Sequence, residues 1–405
     1  MPIFAPVTWI VRPMPEITPR RHFFARRPAT RRLGALAMVL ACLANGPQAW
    51  ALHMPKESEL GPQALTPFMQ SSDHIWDAVL PLPDGRMVLE APAWLGNTGP
   101  QLFIRTPDGA TAPWPAALWG AAQDSTAPDT AAPTQHIVAA AGLTRTAEGS
   151  LWLLDSGVPQ REQPAKAAPR LLEIDPTRNA VVRSVPVQAD ALQPGSILSG
   201  VAVHGHTAYV PDSGVGAILV VDLQTGVSRR FLDRHPALVA TRPIMTPQGP
   251  LHHPSGGLVA VDASMIAVSP DGSWIVVQPP GGYLSRIDTA IFTDPHITPA
   301  AFEESVTQWF KTPSLGGLVI DSDGTLYWSD ITTGSIQSYT TGRIPRRLIT
   351  DDRLHWPTTP GLDGKGHLYV TASQVDRSGA FGGASSVKWP VTLYQLTLPA
   401  TSPAH

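Results

Sequence analysis

"AEGSLWLLDSG" spans Ala147 to Gly157 and reads as one structural phrase. A turn closes at Gly149, an apolar strand follows, and the strand ends in Asp-Ser-Gly. "VHGHTAYVPDSG" (Val203–Gly214) repeats it. The same order of Gly-containing turn and apolar or aromatic strand returns four more times. The copies are "LPDGRMVLEAP" (Leu82–Pro92), "SPDGSWIVVQP" (Ser269–Pro279), "DSDGTLYWSD" (Asp321–Asp330) and "DGKGHLYVTAS" (Asp363–Ser373). Their matching central residues are Met87, Trp152, Tyr209, Trp274, Tyr327 and Tyr369, spaced roughly forty to sixty-five residues apart.

Each copy is flanked alike. A strand precedes the turn, as in "GLVID" (Gly317–Asp321) or "MIAVS" (Met265–Ser269). A third strand follows, as in "RLLEID" (Arg170–Asp175) and "AILVVD" (Ala217–Asp222), and then a fourth, as in "AVVRSVPV" (Ala180–Val187) or "VSRRFL" (Val227–Leu232). Alternating β-branched and aromatic residues mark all of these as strands. Six units of four antiparallel strands predict an all-β fold, a six-bladed β-propeller. Such a ring buries each blade against its neighbours and leaves few sheet edges open. The blades are expected over 72–118, 136–188, 196–233, 257–312, 314–350 and 355–400, within a propeller domain of residues 52–400. Residues 120–134, rich in Ala, Pro, Thr and Asp, read as a loop between blades, and residues 240–256 as a second long connection.

Composition agrees with many short elements: the 405 residues include 43 Pro and 34 Gly, and only 15% are charged. The first fifty residues differ. Arg20, Arg21, Arg26, Arg27, Arg31 and Arg32 precede an apolar run at Leu33–Ala44, and "AWA" (Ala49–Ala51) follows. That order predicts a secretory signal peptide over residues 1–51, cleaved after Ala51, with the product secreted or periplasmic. The run is too short to span a bilayer comfortably. The long basic lead suggests a start codon downstream of Met1, and "VLAC" (Val39–Cys42) offers lipoprotein anchoring at Cys42 as the alternative.

Cleavage would remove seven of the 29 Lys and Arg and one of the 32 Asp and Glu, leaving a net charge of about −9. No basic stripe remains, so neither nucleic acid nor an anionic membrane surface is an expected partner. Cys42 is the only cysteine and would leave with the signal, so no disulfide is expected. A monomer is expected, with no transmembrane span after cleavage.

The phrases resemble the major royal jelly protein/Yellow family, a branch of six-bladed propellers related to the gluconolactonase group. "RMVLEAPAW" (Arg86–Trp94), followed by "QLFIRTPDG", is similar to that family's opening blade. "GSLWLLDSG" with "RLLEIDPTRNAVVRSVP", and then "TAYVPDSGVGAILVVDLQTGVSRRFL", resemble the second and third blades. "IAVSPDG", "GTLYWSDITTGSIQSY" and "DDRLHWP" (Asp351–Pro357) follow in the family's order, and the resemblance covers most of residues 70–400. It implies a fold more firmly than a function. Some members convert dopachrome-type quinones, others bind biogenic amines or serve as nutrient or structural proteins. The neighbouring lactonases polarise a lactone carbonyl with a divalent metal in the central tunnel.

By this alignment the lactonase ligand positions hold Ser199-Gly200, Ser264-Met265 and Gly316-Gly317 in place of Asn or Asp, and the closing Trp-Pro-Asp is Trp356-Pro357-Thr358. A calcium-type divalent cation is therefore disfavoured, and no cofactor is expected. Ser199, Ser264 and Thr358 instead offer hydroxyls to a neutral ligand, or are small residues, like Gly316, that let the innermost strands approach. Trp94 and Trp356, beyond strand ends, are candidates for an aromatic wall around a planar amine or quinone. Trp76, Trp114, Trp119, Trp309 and Trp389 read as packing between blades. His253, beside His252 in a Pro/Gly-rich loop, is a further candidate for the tunnel or for an exposed site.

Asp155, Asp212 and Asp330 end equivalent strands. Recurrence in register makes them turn anchors of the repeat rather than one catalytic set. The expected function is binding of a small organic ligand, aromatic or amine-bearing, in the central tunnel. The alternatives are a metal-dependent lactonase-like hydrolase or quinone isomerase, and a scaffold for a protein partner. No nucleophile elbow, phosphate loop or dinucleotide fingerprint is present.

Overall fold

The computed structural model describes residues 54–118, 136–381 and 386–399. The expected signal segment, Cys42, Trp119 and the 120–134 loop lie outside the described residues. Among the described residues the chain forms six four-stranded antiparallel sheets and one two-stranded hairpin. It is a six-bladed β-propeller with almost no helix: the one α-helix among the described residues, Pro299–Glu304, is a short cap on the fourth blade. No helix among the described residues is long and apolar enough to cross a membrane.

The innermost strands are Ala78–Pro81, Ala140–Arg145, Ala202–His204, Met265–Val268, Leu315–Ile320 and Gly361–Leu362. Blades 1 to 5 run outward in chain order to Thr111–Pro113, Ala180–Pro186, Ser228–Phe231, Thr307–Phe310 and Pro345–Thr350. Blade 6 is built differently. Its outermost strand is Leu65–Ser71, from the start of the described chain, paired with Val391–Thr397 from the end. The sequence reading begins the first blade at residue 72 and leaves this strand unassigned. The ladder from Leu65↔Leu396 to Ser71↔Val391 ties the two ends of the ring together.

The second strands explain the repeated phrase. Leu151–Asp155 is buried at every position because it has a neighbouring blade on each face. Leu151 and Leu153 pack with Val88 and Leu102 of blade 1, whereas Trp152 and Leu154 pack with Ala208 and Val210 of blade 3. Period two thus sends alternate residues into alternate interfaces. The pattern holds around the ring, where six apolar clusters fill the six seams between blades.

At the inner ends the backbones nearly touch. A β-carbon added at Gly316 would lie 1.9 Å from the Pro357 carbonyl oxygen, and one at Gly317 would lie 2.4 Å from Thr359 Cα. Adjacent inner strands even exchange backbone hydrogen bonds, from Gly200 N–H to Ala141 O (2.6 Å) and from Thr359 N–H to Asp77 O (3.1 Å).

Candidate functional site: the central cavity

The inner strands surround a cavity of about 530 Å³, within the usual range for small-molecule sites. Antiparallel pairing puts the start of each inner strand beside the end of its second strand. Both therefore lie at one mouth of the cavity, where the connecting loops also gather. Glu90 ends the second strand of blade 1 and pairs with Ala78, the first residue of that blade's inner strand. Trp94 follows Glu90 four residues later, and Trp356 precedes the inner strand of blade 6. Below this mouth the wall is mainly aliphatic, with Leu143, Val201, Ile266 and Leu318 among its residues.

Six of the seven residues expected in the tunnel line this cavity: Trp94, Ser199, Ser264, Gly316, Trp356 and Thr358. Their chemistry is constrained. Thr358 Oγ1 is 2.6 Å from both Thr371 Oγ1 and Ser373 Oγ, so its hydroxyl is engaged within blade 6. Ser199 Oγ is 2.8 Å from Ser213 Oγ. Gly316 provides close approach rather than a polar group. Trp356 takes φ 50°, a left-handed conformation costly for a bulky side chain. Hydrogen bonds from Ser373 N–H to Trp356 O and from Gln374 N–H to His355 O, both 3.2 Å, hold that turn. Its ring lies 6.2 Å from that of Phe381, which also lines the cavity.

His253 stands apart. It lies outside the cavity lining, in a loop stabilised by its own N–H bond to Gly257 O (2.7 Å), with Glu162 at 3.8 Å. The reason is local: the 240–256 connection folds into a hairpin, Met245–Thr246 against Gly249–Pro250, and His252 bridges to Leu258.

The three recurrent aspartates are also outside the lining. Asp155 accepts the Ala139 N–H (2.8 Å) and pairs with Arg170 (3.1 Å). Asp212 accepts from Ile197 N–H (2.9 Å) and Gly214 N–H (3.0 Å) and pairs with Arg230 (2.8 Å). Asp330 accepts from Thr332 N–H (2.8 Å) and Gln337 Nε2 (2.9 Å).

The same register position in blade 1 is Glu90, which the sequence reading passed over. Asp155 and Asp330 sit opposite the first residue of an inner strand and Asp212 opposite Leu198, four residues ahead of one, as Glu90 sits opposite Ala78. With one more methylene, Glu90 reaches toward the neighbouring blade, where the Gly142 amide favours its charged form. Gly142 lies in a bulge, between Ala140 and Leu143, where the blade 2 register shifts. Glu90 is 1% exposed and its Oε1 has no hydrogen-bond partner among the described residues.

Asp77, also on the lining, accompanies it. Its N–H donates to Glu90 O (2.8 Å), and its side chain keeps some surface open to the cavity. Burial pushes both carboxyls far above the usual carboxylate range, and the charge of Asp77 pushes Glu90 further. The two therefore titrate as a pair near neutrality. The signal that could have found this site was Glu in a repeat position otherwise held by Asp.

Arg161 is the third group found only in the structure. It hangs from the loop after the second strand of blade 2 and lines the cavity. Its Nη1 donates to Ser213 Oγ (2.9 Å) and its Nη2 to Ser213 O. Burial lowers the affinity of its guanidinium for its proton, and Asp262 and Asp212 counter that from a distance.

The donor set does not fit a lactonase-type metal. Asp77 and Glu90 are the carboxylates at this mouth, and the nearby hydroxyls are bonded to one another. Calcium takes six to eight oxygens. Among the described residues no group of three or more His, Cys, Asp or Glu is placed to share a cation. The arrangement can instead hold a flat molecule against indole and phenyl rings, bind positive charge on the acid pair, and exchange protons with it.

Residues 139–266, from the inner edge of blade 2 to the start of blade 4, match the family described as major royal jelly protein. The resemblance read from the repeated phrases is thus a finding over that segment. No curated protein matches the chain in sequence. Among solved structures, virginiamycin B lyase from Staphylococcus aureus is similar at 12% identity and TM-score 0.47, over 83% of this chain and 99% of that one. A gluconolactonase from Xanthomonas campestris is similar at 11% identity and TM-score 0.46, over 81% and 88%.

Proposed function

We propose, with the royal-jelly kinship as premise, that this protein is an exported propeller that binds a small aromatic, amine-bearing ligand in its central cavity. One observation carries the reading: a buried acid pair, Asp77 and Glu90, shares a cavity mouth with Trp94, Trp356 and Phe381. A carboxylate with an unpartnered oxygen in a dry site favours a cation beside it. Aromatic faces supply stacking and cation–π attraction for the rest of the ligand. Export is proposed from the basic lead, apolar core and Ala49–Ala51 site alone.

The test is thermal stabilisation by a panel of aromatic amines, catechols and quinones. A ligand at one hundred times its Kd would stabilise the fold by about 2.7 kcal/mol. Lack of any shift at millimolar concentration refutes the reading. A second reading is proton-transfer chemistry on a bound quinone. It is favoured by carboxyls that titrate near neutrality, where general acid–base catalysis works best. Quinone turnover that persists in Glu90→Gln would remove it.

A further inference from the structure

We infer that Arg161 forms a carboxylate-binding subsite of the cavity, so that the ligand class is an aromatic amino acid rather than a simple amine. The inference rests on the proposed ligand site and adds a second charge to it. Three observations support it.

First, Arg161 is a half-buried cation on the cavity lining. Its side-chain hydrogen bonds go to Ser213 Oγ and Ser213 O, both neutral acceptors. No carboxylate pairs with it directly among the described residues: Asp212 is spent on Arg230, and Asp262 accepts the Ala240 N–H at 2.8 Å. A partly desolvated guanidinium without a paired anion favours one, and a ligand carboxylate in a forked bond would supply it. Ser213 holds the guanidinium in place through two contacts, which pre-pays its ordering.

Second, the opposite charge is at the same mouth but in other blades. Glu90 and Asp77 belong to blade 1, and Arg161 leans on Ser213 of blade 3. The groups that shift Glu90 are burial, Asp77 and Gly142, while those that shift Arg161 are burial, Asp262 and Asp212. No ion pair joins Arg161 to Glu90 or Asp77 among the described residues, although all three line the cavity. A zwitterion would complement both.

Third, the Ser199 hydroxyl lines the cavity and touches Ser213 Oγ, 2.8 Å away. Ser213 gives its own proton to Ile197 O (3.0 Å), so Ser199 donates to Ser213 Oγ and braces the group on which Arg161 leans.

The experiment compares three matched probes by isothermal titration: tyrosine, tyramine, which lacks the carboxylate, and 3-(4-hydroxyphenyl)propionate, which lacks the ammonium. On the unaltered protein, tyrosine is expected to bind about tenfold more tightly than tyramine, the usual weight of one charge-assisted pair. In Arg161→Gln that ratio is expected to fall to about unity, with Arg161→Lys between the two. Loss of the Ser213 contacts would lower the melting temperature of the variant, but it would not change a ratio between two ligands. Tyramine binding as tightly as tyrosine, or a ratio unchanged in Arg161→Gln, overturns the inference while leaving the amine site standing. If no probe binds and no member of the wider panel does, both readings fall.

Discussion

Glu90→Gln isolates the energetics of the acid pair. In the folded protein the Glu90 carboxyl is pushed from 4.5 to about 8, chiefly by burial. An unfolded chain releases the proton near the ordinary value, so between these limits the native state binds the extra proton. Stability is then complete below about pH 4.5 and declines as pH rises towards about 8. At about 1.4 kcal/mol per pH unit the loss reaches roughly 5 kcal/mol. Unfolding a ring of about 350 residues carries an entropy near 0.7 kcal/mol/K, so that loss corresponds to about 7 °C in melting temperature. Gln keeps the shape of the side chain but never ionises. The variant is expected to melt up to about 7 °C above the unaltered protein at pH 9, with the difference vanishing at pH 4. Calorimetry across pH 4–9 without ligand reads both. A variant less stable at pH 9, or a difference independent of pH, would refute the assignment of Glu90 as a buried protonated acid.

Other outcomes follow from the same geometry. Amine affinity should rise with pH through about 7 to 8, because Asp77 and Glu90 must lose their protons to hold an ammonium; titrations at pH 6 and 8.5 check the sign. Trp94→Ala should weaken an aromatic ligand about fivefold to tenfold by removing one stacking face, with little change in melting temperature because Trp94 is only partly buried. Gly316→Ala forces a β-carbon to within 1.9 Å of Pro357 O and should cost about 3 kcal/mol or more in a denaturant titration. Asp212→Ala leaves Arg230 only the exposed Asp233 as a partner and frees the Ile197 and Gly214 amides, and should cost about 3 kcal/mol while leaving the tyrosine-to-tyramine ratio intact.

The difference between Asp212 and Glu90 shows where sequence reading stops. Both end a second strand; Glu90 faces the head of an inner strand and Asp212 faces Leu198, just ahead of one. The repeat makes the position visible, and an aspartate there bonds the amides of its own blade. Whether a glutamate does the same depends on the next blade, which a one-dimensional pattern does not include. The bulge at Gly142 brings an amide of the next blade near it, and its Oε1 is buried without a partner among the described residues. Arg161 carried no signal because it stands in an irregular loop, outside any repeat. His253 carried a misleading one: a Pro/Gly-rich loop suggested reach into the tunnel, but the hairpin turns it outward.

Sequence alone determined the strand count per blade and the order of the blades. These depend on local alternation and turn chemistry, which neighbours in the chain report faithfully. Only the tertiary structure decided how the ring closes, since Leu65–Ser71 pairs with a strand more than three hundred positions away. It alone decided the charges of the cavity too. The proton affinity of Glu90 and the unpaired state of Arg161 are set by burial and by groups on other blades, and burial is a property of the assembled ring.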